Sequence, residues 1–351
     1  MKVLLTGHRG YIGSVLAPML LERGHEVVGL DSDLFRNCTF TGKIADVPTI
    51  IKDSRDIGFC DLVADDMRGF DAVVHLAGLS NDPMGDYRPT LTTEINCTAS
   101  VNLAKLAKQA GVPRFLFASS CSNYGAAGDD FLTEAAPFNP VTPYGVSKVQ
   151  VEQQVAPLAD ASFSPTFLRA STAYGLSPRI RFDLVVNNLT AWAFTTGEVR
   201  LKSDGSPWRP IVHVEDIARA YVAVLEAERD IVHNEAFNVG TTTENYQIRE
   251  IAAIVRDVVP GSRVGFASDA APDKRNYRVD CNHIARKLRS FKPQWTCRRG
   301  VEQLYDAYRS VGLSVQDFEG EKFMRIAHVK KLVRDGVLDE NLRRSALEQA
   351  A

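Results

Sequence analysis

Near its N-terminus the chain reads Gly7-His8-Arg9-Gly10-Tyr11-Ile12-Gly13, between the apolar run Lys2–Thr6 and a helical pattern over residues 11–24. Glycines at these positions let the backbone turn tightly and approach a pyrophosphate, and they let the helix pack closely on the strand. The N-terminus of that helix would face the phosphates. A G-x-x-G-x-x-G spacing alone is shared by turns that bind nothing, but the strand–turn–helix context predicts a dinucleotide site.

Asp31 supports this interpretation, because it follows the second apolar run, residues 26–30. A carboxylate at the end of that strand can accept hydrogen bonds from the adenosine ribose hydroxyls and repels a 2′-phosphate, which favours NAD over NADP. Two alternatives stay open. Asp31 could be a solvated residue at a strand end, and the nearby cations Arg9 and Arg36 could accommodate NADP.

The order of strand and helix patterns in the first half of the chain predicts the fold class. Short apolar or β-branched runs alternate with helical patterns, which is typical of a parallel sheet covered on both faces. We therefore predict an α/β fold with a Rossmann-type doubly wound parallel sheet over residues 1–175. The further strands are expected at residues 71–77, 114–119 and 165–169, and the further helices at 91–110 and 143–159.

After Gly175 the alternation stops. Helical patterns at residues 184–196, 214–228 and 248–259 are separated by small strands, and residues 201–210 are turn-rich. We expect a smaller, mixed α/β substrate-binding region over 176–310, with some strands and helices returning to the first domain. A charged, helix-prone extension follows over 311–351. Its residues 319–342 have helical spacing, with breaks at Gly320 and Gly336, which predicts packing on the body of the protein or on a partner subunit.

Composition excludes several classes of protein. The 351 residues carry 41 Lys and Arg against 43 Asp and Glu, so the net charge is -2, and 45% of the residues are hydrophobic. This is ordinary for a folded domain and argues against a dedicated nucleic-acid binder, which is usually basic. No apolar run reaches the ~18 residues of a membrane span. Residues 1–7 are typical of a buried strand rather than a signal peptide.

The six cysteines show neither a C-x-x-C pair nor spacing typical of zinc ligands, so we expect no metal. Scattered cysteines in a chain of this length favour a reduced, cytoplasmic protein.

A second group of residues suggests redox chemistry. Tyr144 and Lys148 lie at i and i+4 of a predicted helix and share one face. A free tyrosine has a pKa near ~10, and a nearby ammonium together with an oxidised nicotinamide would lower it toward that of a usable base. Ser119-Ser120-Cys121-Ser122 ends a predicted parallel strand, where ligands bind in such sheets, so a serine hydroxyl could hold the substrate oxygen.

Together these motifs resemble an extended short-chain dehydrogenase/reductase, and most closely the NAD-dependent sugar-nucleotide epimerase/dehydratase family, from residue 1 to about 310. The resemblance implies catalysis by Ser120, Tyr144 and Lys148. Further similar segments follow in the family's order: 53–56, 75–78, 117–125, 168–175, 208–216, 237–240 and 275–280.

The resemblance also implies which residues hold each ligand. The implied NAD contacts are Gly7, Arg9, Gly10, Tyr11, Ile12, Gly13, Asp31, Asp53, Ser54, Leu76, Ala77, Gly78, the helix-kinking Asn96, Ser119, Tyr144 and Lys148. The implied contacts to a nucleotide-sugar substrate are Ser80, Ser120, Cys121, Ser122, Tyr144, Thr172, Arg209 and Arg275, the two arginines being expected on the diphosphate.

Two departures from the family pattern bear on the reaction. Where the 4,6-dehydratases carry an Asp–Glu pair, this chain has Cys121 and Ser122, so a conventional dehydratase is disfavoured. We interpret Cys121 as a small thiol lining the pocket, with an acid–base role as the alternative. At Thr172 many relatives have an asparagine that contacts the diphosphate, which leaves the sugar nucleotide itself open.

The expected function is a nucleotide-sugar epimerase, most plausibly at C4 through a transient 4-keto sugar, with Tyr144 as the base. A ketoreductase of a 4-keto nucleotide sugar and a dehydrogenase of a non-nucleotide alcohol are alternatives. A non-catalytic NAD-binding sensor or scaffold on the same fold is an alternative of another class. By the same resemblance we expect a homodimer, formed through the helices at 91–110 and 143–159.

Several other residues have plain structural interpretations. We interpret His213 as a structural residue and expect Trp192 and Phe194 in the core or an interface. For Asn187 and Asn188, helix capping and substrate contact are both open.

Overall fold

The computed structural model describes residues 1–56, 67–80, 82–266 and 275–344. Its strands are β1 (Lys2–Thr6), β2 (Glu26–Asp31), β3 (Thr49–Ile51), β4 (Ala72–His75), β5 (Arg114–Ser120), β6 (Ala126–Leu132), β7 (Ser164–Ala170), β8 (Thr172–Tyr174), β9 (Glu198–Leu201), β10 (Trp208–His213), β11 (Ala236–Val239), β12 (Asn245–Gln247), β13 (Arg263–Phe266) and β14 (Asn276–Val279).

The α-helices are α1 (Gly13–Glu22), α2 (Asp82–Tyr87), α3 (Pro89–Thr92), α4 (Ala99–Gln109), α5 (Pro143–Val155), α6 (Val185–Thr196), α7 (Val214–Glu226), α8 (Arg229–Val232), α9 (Ile248–Val258), α10 (Asn282–Lys287), α11 (Cys297–Val311), α12 (Val315–Phe318) and α13 (Arg325–Arg334). Short 3₁₀ turns cover Ser54–Asp56, Cys121–Tyr124 and Ala156–Leu158, and a π-helical turn covers Thr93–Thr98.

The central sheet has the order β11-β7-β5-β4-β1-β2-β3, and every neighbouring pair is parallel. The strand order reverses beside β1, where the chain first builds outward through β2 and β3 and then returns to β4 on the other side. In open parallel sheets the crevice at such a switch point, at the carboxyl ends of the strands, is where ligands bind. The prediction of a Rossmann-type doubly wound α/β fold is confirmed.

Both faces of the sheet are covered, which explains why its strands are continuously apolar. Successive residues of a strand point to opposite faces. Val3 and Leu5 accordingly belong to a core with α1 and α7, and Leu4 belongs to a second core with α4 and α5. All three side chains are at most 1% exposed.

Beyond the central sheet the chain forms small sheets around a separate core. The pairings are β12-β10-β8, β13-β9 and β14-β6. Apolar side chains of α6, α9 and α11 bury one another there, with Trp192 and Phe194 half-buried against them. β11 belongs in sequence to the second region, but it pairs with β7 at the edge of the central sheet. The chain therefore returns to the central sheet at this point.

Some predicted boundaries differ from the structure. The turn-rich segment 201–210 contains the last residue of β9 and the first residues of β10. The long helix expected over 91–110 is interrupted by the π-helical turn Thr93–Thr98. Within 319–342 the chain forms α13 between Gly320 and Gly336, the two glycines at which breaks were predicted, and it turns at Gly336 (φ 72°).

A search of the described residues finds no helix long and apolar enough to cross a membrane. In the same part of the chain, no three His, Cys, Asp or Glu side chains are grouped as metal ligands. Cys38, Cys97, Cys121, Cys281 and Cys297 have free thiols, and Cys60 lies outside the described residues.

Candidate active site

A deep cleft opens at the switch point of the sheet, with an empty volume of about 1190 Å³ that is partly open to solvent. Many residues predicted for NAD line it: Gly7, Gly10, Tyr11, Ile12, Gly13, Asp31, Asp53, Ser54, Leu76, Ala77 and Gly78. Ser80, predicted for the substrate, lines it as well. The cleft therefore brings together segments that follow β1, β2, β3 and β4.

Close packing of the backbone requires glycine at two positions of the turn between β1 and α1. Gly7 has φ 72°, in the region that favours glycine, and a Cβ there would lie 2.8 Å from Ala77 N. A Cβ on Gly13 would lie 2.2 Å from Gly7 O, so only glycine allows α1 to begin this close to β1. The turn and the N-terminus of α1 line the cleft, and a helix N-terminus is a site that suits a phosphate.

Asp31 ends β2 at the edge of the cleft and is oriented by main-chain donors. Arg9 N–H donates to Asp31 Oδ2 (3.0 Å), and Asp33 N–H donates to Asp31 Oδ1 (2.8 Å). The guanidinium of Arg9, considered above as a partner for a 2′-phosphate, instead pairs with Asp33 at 2.6 Å. A carboxylate here with its nearest cation already paired favours a cofactor that has free ribose hydroxyls.

Asp53 lines the far end of the cleft and forms a two-bonded ion pair with Arg55. Arg55 Nε donates to Asp53 Oδ1 (2.9 Å), and Arg55 Nη2 donates to Asp53 Oδ2 (2.5 Å). Burial raises the pKa of Asp53, but the Arg55 hydrogen bonds outweigh it and hold the pKa below its usual value. This carboxylate stays ionised.

Asn96 acts on the wall of the cleft through the main chain. Its Oδ1 accepts from Leu79 N–H (2.7 Å) and its Nδ2 donates to Leu79 O (2.9 Å), with the side chain fully buried. The structure therefore places Asn96 behind the loop after β4 rather than among the residues that line the cleft, and a direct NAD contact is not supported.

Tyr144 and Lys148 lie on α5, which Thr142 caps by accepting from Gly145 N–H (3.2 Å). Lys148 Nζ is 5.6 Å from the centroid of the Tyr144 ring and 4.6 Å from that of Phe117. Lys148 is 5% exposed. Burial lowers its pKa to about 8, while Glu152 acts in the opposite direction. The i, i+4 spacing thus brings a buried amine beside the tyrosine ring, as predicted from the sequence.

Ser119 and Ser120 differ in their partners. Ser120 Oγ accepts from Ser122 N–H (3.1 Å) at the start of the 3₁₀ turn Cys121–Tyr124. Ser119 Oγ donates to Glu152 Oε1 (2.5 Å) within the protein. The Ser119 hydroxyl is thus engaged in a buried network and is not supported as a cofactor contact, whereas Ser120 lies at the carboxyl end of β5.

Glu152 is the centre of that buried network, which lies behind the predicted catalytic residues. Arg169 binds it through Nη2 (2.6 Å) and Nε (3.0 Å), and Asn123 Nδ2 donates to it (3.0 Å). Both charged side chains are about 6% exposed. A buried ion pair of this kind is costly to break by removing one partner. It ties α5 to β5 and β7, and so fixes the helix that carries Tyr144 and Lys148.

Cys121 is a core residue. It is 0% exposed, and its thiol donates to Arg169 O (3.1 Å). It packs with Tyr124, Tyr277 and Cys281. Burial raises the pKa of the thiol, which disfavours the thiolate. Contrary to the interpretation from sequence, the side chain has no surface on the cleft, and neither a substrate contact nor an acid–base role is supported.

The remaining residues predicted for the substrate lie on β8, on β10 and before β14, and they are not among the residues that line the cleft. Arg209 on β10 is 4% exposed, and its Nη1 donates to Trp208 O (2.7 Å) and to Arg275 O. The two arginines expected on a diphosphate are therefore neighbours although 66 residues separate them. Thr172 begins β8, which pairs with β10 through Ile211.

Asn187 and Asn188 stabilise the loop after β8 and do not act on a ligand. Asn187 Nδ2 donates to Arg181 O (2.9 Å) and its Oδ1 accepts from Gly175 N–H (2.9 Å). Asn188 Nδ2 donates to Phe182 O (2.9 Å). His213 is structural as predicted, since it caps α7 and stacks on Trp295 at 4.0 Å.

Sequence reasoning missed several residues that line the cleft, namely Leu34, Phe35, Lys52, Arg181, Arg325 and Leu342. Arg181 pairs with Asp183 (2.6 Å) and donates to Ser80 Oγ (3.1 Å). The amphipathic pattern of the extension predicted that it packs on something, but nothing in that pattern indicated the cleft.

Comparison with known proteins agrees with this site. The model of the NAD dependent epimerase/dehydratase family matches residues 3–240, and the chain belongs to that family. It is 28% identical to the UDP-glucose 4-epimerase of Bacillus subtilis, over 91% of this chain and 99% of that protein. It is 24% identical to UDP-glucuronic acid decarboxylase 1 of Arabidopsis thaliana, over 91% and 72%. A solved UDP-glucose 4-epimerase of Thermus thermophilus in complex with NAD superimposes with a TM-score of 0.72 at 26% identity, covering 88% of this chain and 99% of that one.

The chain is therefore an enzyme of the epimerase/dehydratase family with NAD as its cofactor, as predicted. The residues present fit this group: a glycine turn too tight for any Cβ, an oriented carboxylate at the end of β2, and a cleft that joins them. Which residues contact NAD and substrate stays a prediction beyond this placement.

Proposed function

We propose that the enzyme is a nucleotide-sugar 4-epimerase that acts on a UDP-hexose or a UDP-hexuronic acid. The observation that carries the proposal is a serine, a tyrosine and a lysine at the end of β5 and on the adjoining α5, without a carboxylate at positions 121 and 122. The UDP-glucose 4-epimerases among its relatives support the choice of nucleotide and of C4.

The chain's own residues would hold and move the proton. Tyr144 Oη accepts the proton of the C4 hydroxyl as the C4–H bond breaks and the C4=O bond forms. The Lys148 ammonium stabilises the phenolate, since an opposite charge nearby favours the charged form. Ser120 Oγ donates a hydrogen bond to the same sugar oxygen. NAD, when bound in the cleft, would supply the reversible hydride acceptor that oxidation and reduction at C4 require.

The surroundings disfavour elimination of water, the rival reaction in this family. Elimination of water needs an acid and a base at the sugar. Glu152 and Glu134, two carboxylates of the surrounding network, are engaged within the protein. Glu152 is bound by Arg169, and Glu134 Oε1 accepts from Asn238 N–H (2.7 Å). Ser122 cannot serve as the base at its ordinary pKa, and the Cys121 thiol is buried.

The test is Tyr144→Phe with the purified enzyme and UDP-glucose. We expect kcat to fall by roughly 10²- to 10⁴-fold, the usual contribution of a positioned acid–base group. NAD content, measured after the protein is denatured, should stay at the level of the parent enzyme. Interconversion of the two C4 epimers is followed by chromatography of the sugar nucleotides.

Tyr305→Phe is the matched control, because that ring lies on α11 against Phe194 and away from the cleft. It should keep full activity. A Tyr144→Phe enzyme that retains both NAD and turnover would refute the proposed chemistry. Activity with none of the UDP-, GDP-, CDP- and dTDP-sugars would instead point to a non-nucleotide substrate.

A further inference from the structure

The segment 321–344, here called the C-terminal strap, runs across the cofactor cleft. It comprises residues 321–324, α13 and the ten residues after that helix. On one side it is tied to the segment that follows β2. Arg344 Nη2 donates to Ser32 O (3.0 Å), and His328 Nε2 lies 3.1 Å from Leu34 O.

On the other side the strap packs on the helices that follow β4. Val329, Leu338 and Leu342 are buried with an apolar group formed by Leu79, Met84, Leu91 and Ile95. Next to Asp53 and Ser54 of the cleft wall, Arg343 Nη1 pairs with Asp56 (2.6 Å) and Asn341 O accepts from Arg55 Nη1 (2.8 Å). The strap therefore bridges the three segments that wall the cleft.

Arg325 projects from the strap into this cleft. Arg325 is only 6% exposed, and its guanidinium lies 3.9 Å from the centroid of the Phe35 ring. Arg325 Nη2 donates to Arg179 O (3.0 Å). Arg325 Nη1 is buried and has no hydrogen-bond partner among the described residues. A buried charged donor is normally paired, so this atom indicates an acceptor that the described part of the chain does not supply.

The charges around Arg325 point to an anion. Burial and the neighbouring Arg181 lower the pKa of Arg325 to about 10. Arg179 donates to the carbonyl oxygens of Arg9 and Arg36 and to Thr39 Oγ1, which are neutral acceptors. Of these three arginines, only Arg181 has a carboxylate partner in the described part of the chain. The glycine turn and the first residue of α1 line the same cleft as Arg181 and Arg325.

We propose that Arg325 binds the diphosphate of the dinucleotide, so that the C-terminal strap is part of the NAD site. A guanidinium offers two parallel N–H donors that match phosphate oxygens, and one of its nitrogens is free for them. The diphosphate would lie between two positive groups, the N-terminus of α1 and Arg325. This proposal rests on NAD as the family's cofactor and not on the identity of the sugar.

The test measures binding rather than turnover. Parent enzyme and Arg325→Gln, both stripped of NAD, are titrated with NAD, ADP and adenosine by calorimetry. We expect Arg325→Gln to weaken NAD and ADP by about 10- to 100-fold, as for a lost hydrogen bond to a charged group, and to leave adenosine unchanged. The unstripped variant should also contain less NAD after purification than the parent.

Arg334→Gln is the matched control, because Arg334 lies on the same helix with 61% of its side chain exposed and pairs with Glu321. It should bind all three ligands as the parent does. Arg325→Lys keeps the charge without the fork and should show a smaller loss with the same selectivity, which keeps the test available if the neutral variant does not fold. An unchanged affinity for ADP, or an equal loss for adenosine, would overturn the proposal. Neither result would affect the proposal that the enzyme is a 4-epimerase.

Discussion

At the scale of one residue, His75 is a buried histidine whose ring the protein keeps neutral. The ring ends β4 with 0% exposure, held between Thr6 Oγ1 at Nδ1 (2.6 Å) and Ser100 Oγ at Nε2 (2.7 Å). Burial, with a smaller contribution from the charge of Lys148, lowers its pKa to about 3 from 6.5. Two hydroxyls satisfy a neutral imidazole, which needs one donor and one acceptor.

This pKa makes stability depend on pH with a definite sign. Between pH 6.5 and about 3 the unfolded chain binds a proton at His75 and the folded chain does not, so stability falls as the pH falls. At about pH 5 the loss from this residue is about 2 kcal/mol relative to neutral pH. We expect His75→Gln to lose less stability than the parent between about pH 7 and pH 5, as measured by urea unfolding.

The comparison uses the change with pH and not the absolute stability, because the substitution also alters packing. Other groups that titrate in this range, including His213, contribute equally to both proteins. Parallel curves for the two proteins would show that His75 is already protonated, or accessible, in the folded state.

At the scale of elements, the junction of β1 and α1 depends on close backbone contact. A Cβ on Gly13 would lie 2.2 Å from Gly7 O and 2.6 Å from His8 Cα, and both neighbours are backbone atoms that cannot rotate away. The junction therefore has to deform if any side chain is added. The part of the cleft that this junction lines would move with it.

We expect Gly13→Ala to destabilise the protein by roughly 1–3 kcal/mol, as overpacking does, and to weaken NAD binding by more than about ten-fold. Thermal unfolding and calorimetric titration with NAD measure the two effects. Gly24→Ala, after the other end of α1, is the control. Its Cβ would meet nothing within 4 Å, but φ is 79°, so about 1 kcal/mol of strain and unchanged NAD affinity are expected. Equal NAD affinities in all three proteins would contradict the role of the turn.

The π-helical turn Thr93–Thr98 shows a second use of an irregular element. It rotates Asn96 toward Leu79, whose N–H and C=O it binds, and so it shapes the loop after β4. Sequence comparison indicated a kink at this asparagine, and the structure gives the kink a function in holding the wall of the cleft.

At the scale of the whole molecule, the two arginines predicted for the substrate come together from distant parts of the chain. Arg209 Nη1 on β10 donates to the main-chain oxygen of Arg275, which precedes β14. Tyr277 on β14 is buried beside Cys121, the residue that follows β5. The second region thus packs against the carboxyl end of β5, where Ser120 lies.

We expect Arg209→Ala to raise the Michaelis constant for the nucleotide sugar by about ten-fold or more, since a charged hydrogen bond to phosphate is lost. The turnover number should change less. Steady-state kinetics and inhibition by UDP measure both. Arg263→Ala, an exposed arginine on β13, should leave the constants unchanged. A Michaelis constant that does not respond to Arg209→Ala would favour a non-nucleotide alcohol as the substrate.

The predicted homodimer stays a prediction at this scale. On the helices expected to form its interface, the exposed positions are mostly polar, including Lys105, Gln109 and Gln153, and Val146 is an exposed large apolar side chain at 38% exposure. Light scattering on the purified protein would measure its mass in solution.

What the sequence determined by itself is the part of the site in which partners lie within a few residues of one another. The glycine turn, the strand-end Asp31 and the Tyr144–Lys148 pair follow from local spacing, because strand, turn and helix geometry place such neighbours without reference to the rest of the chain. The apolar runs predicted the doubly wound sheet for the same reason.

Only the tertiary structure decided which side chains face the cleft and which face the core. Ser119 and Cys121 flank Ser120 in sequence, yet one joins the Glu152 network and the other is buried in a core. Arg325 reaches the cofactor cleft from the far end of the chain, because the strap is held there by dispersed apolar contacts and by hydrogen bonds from side chains to main-chain oxygens. Such contacts are individually weak and leave no spacing in the sequence, so their result can be seen only once the chain is folded.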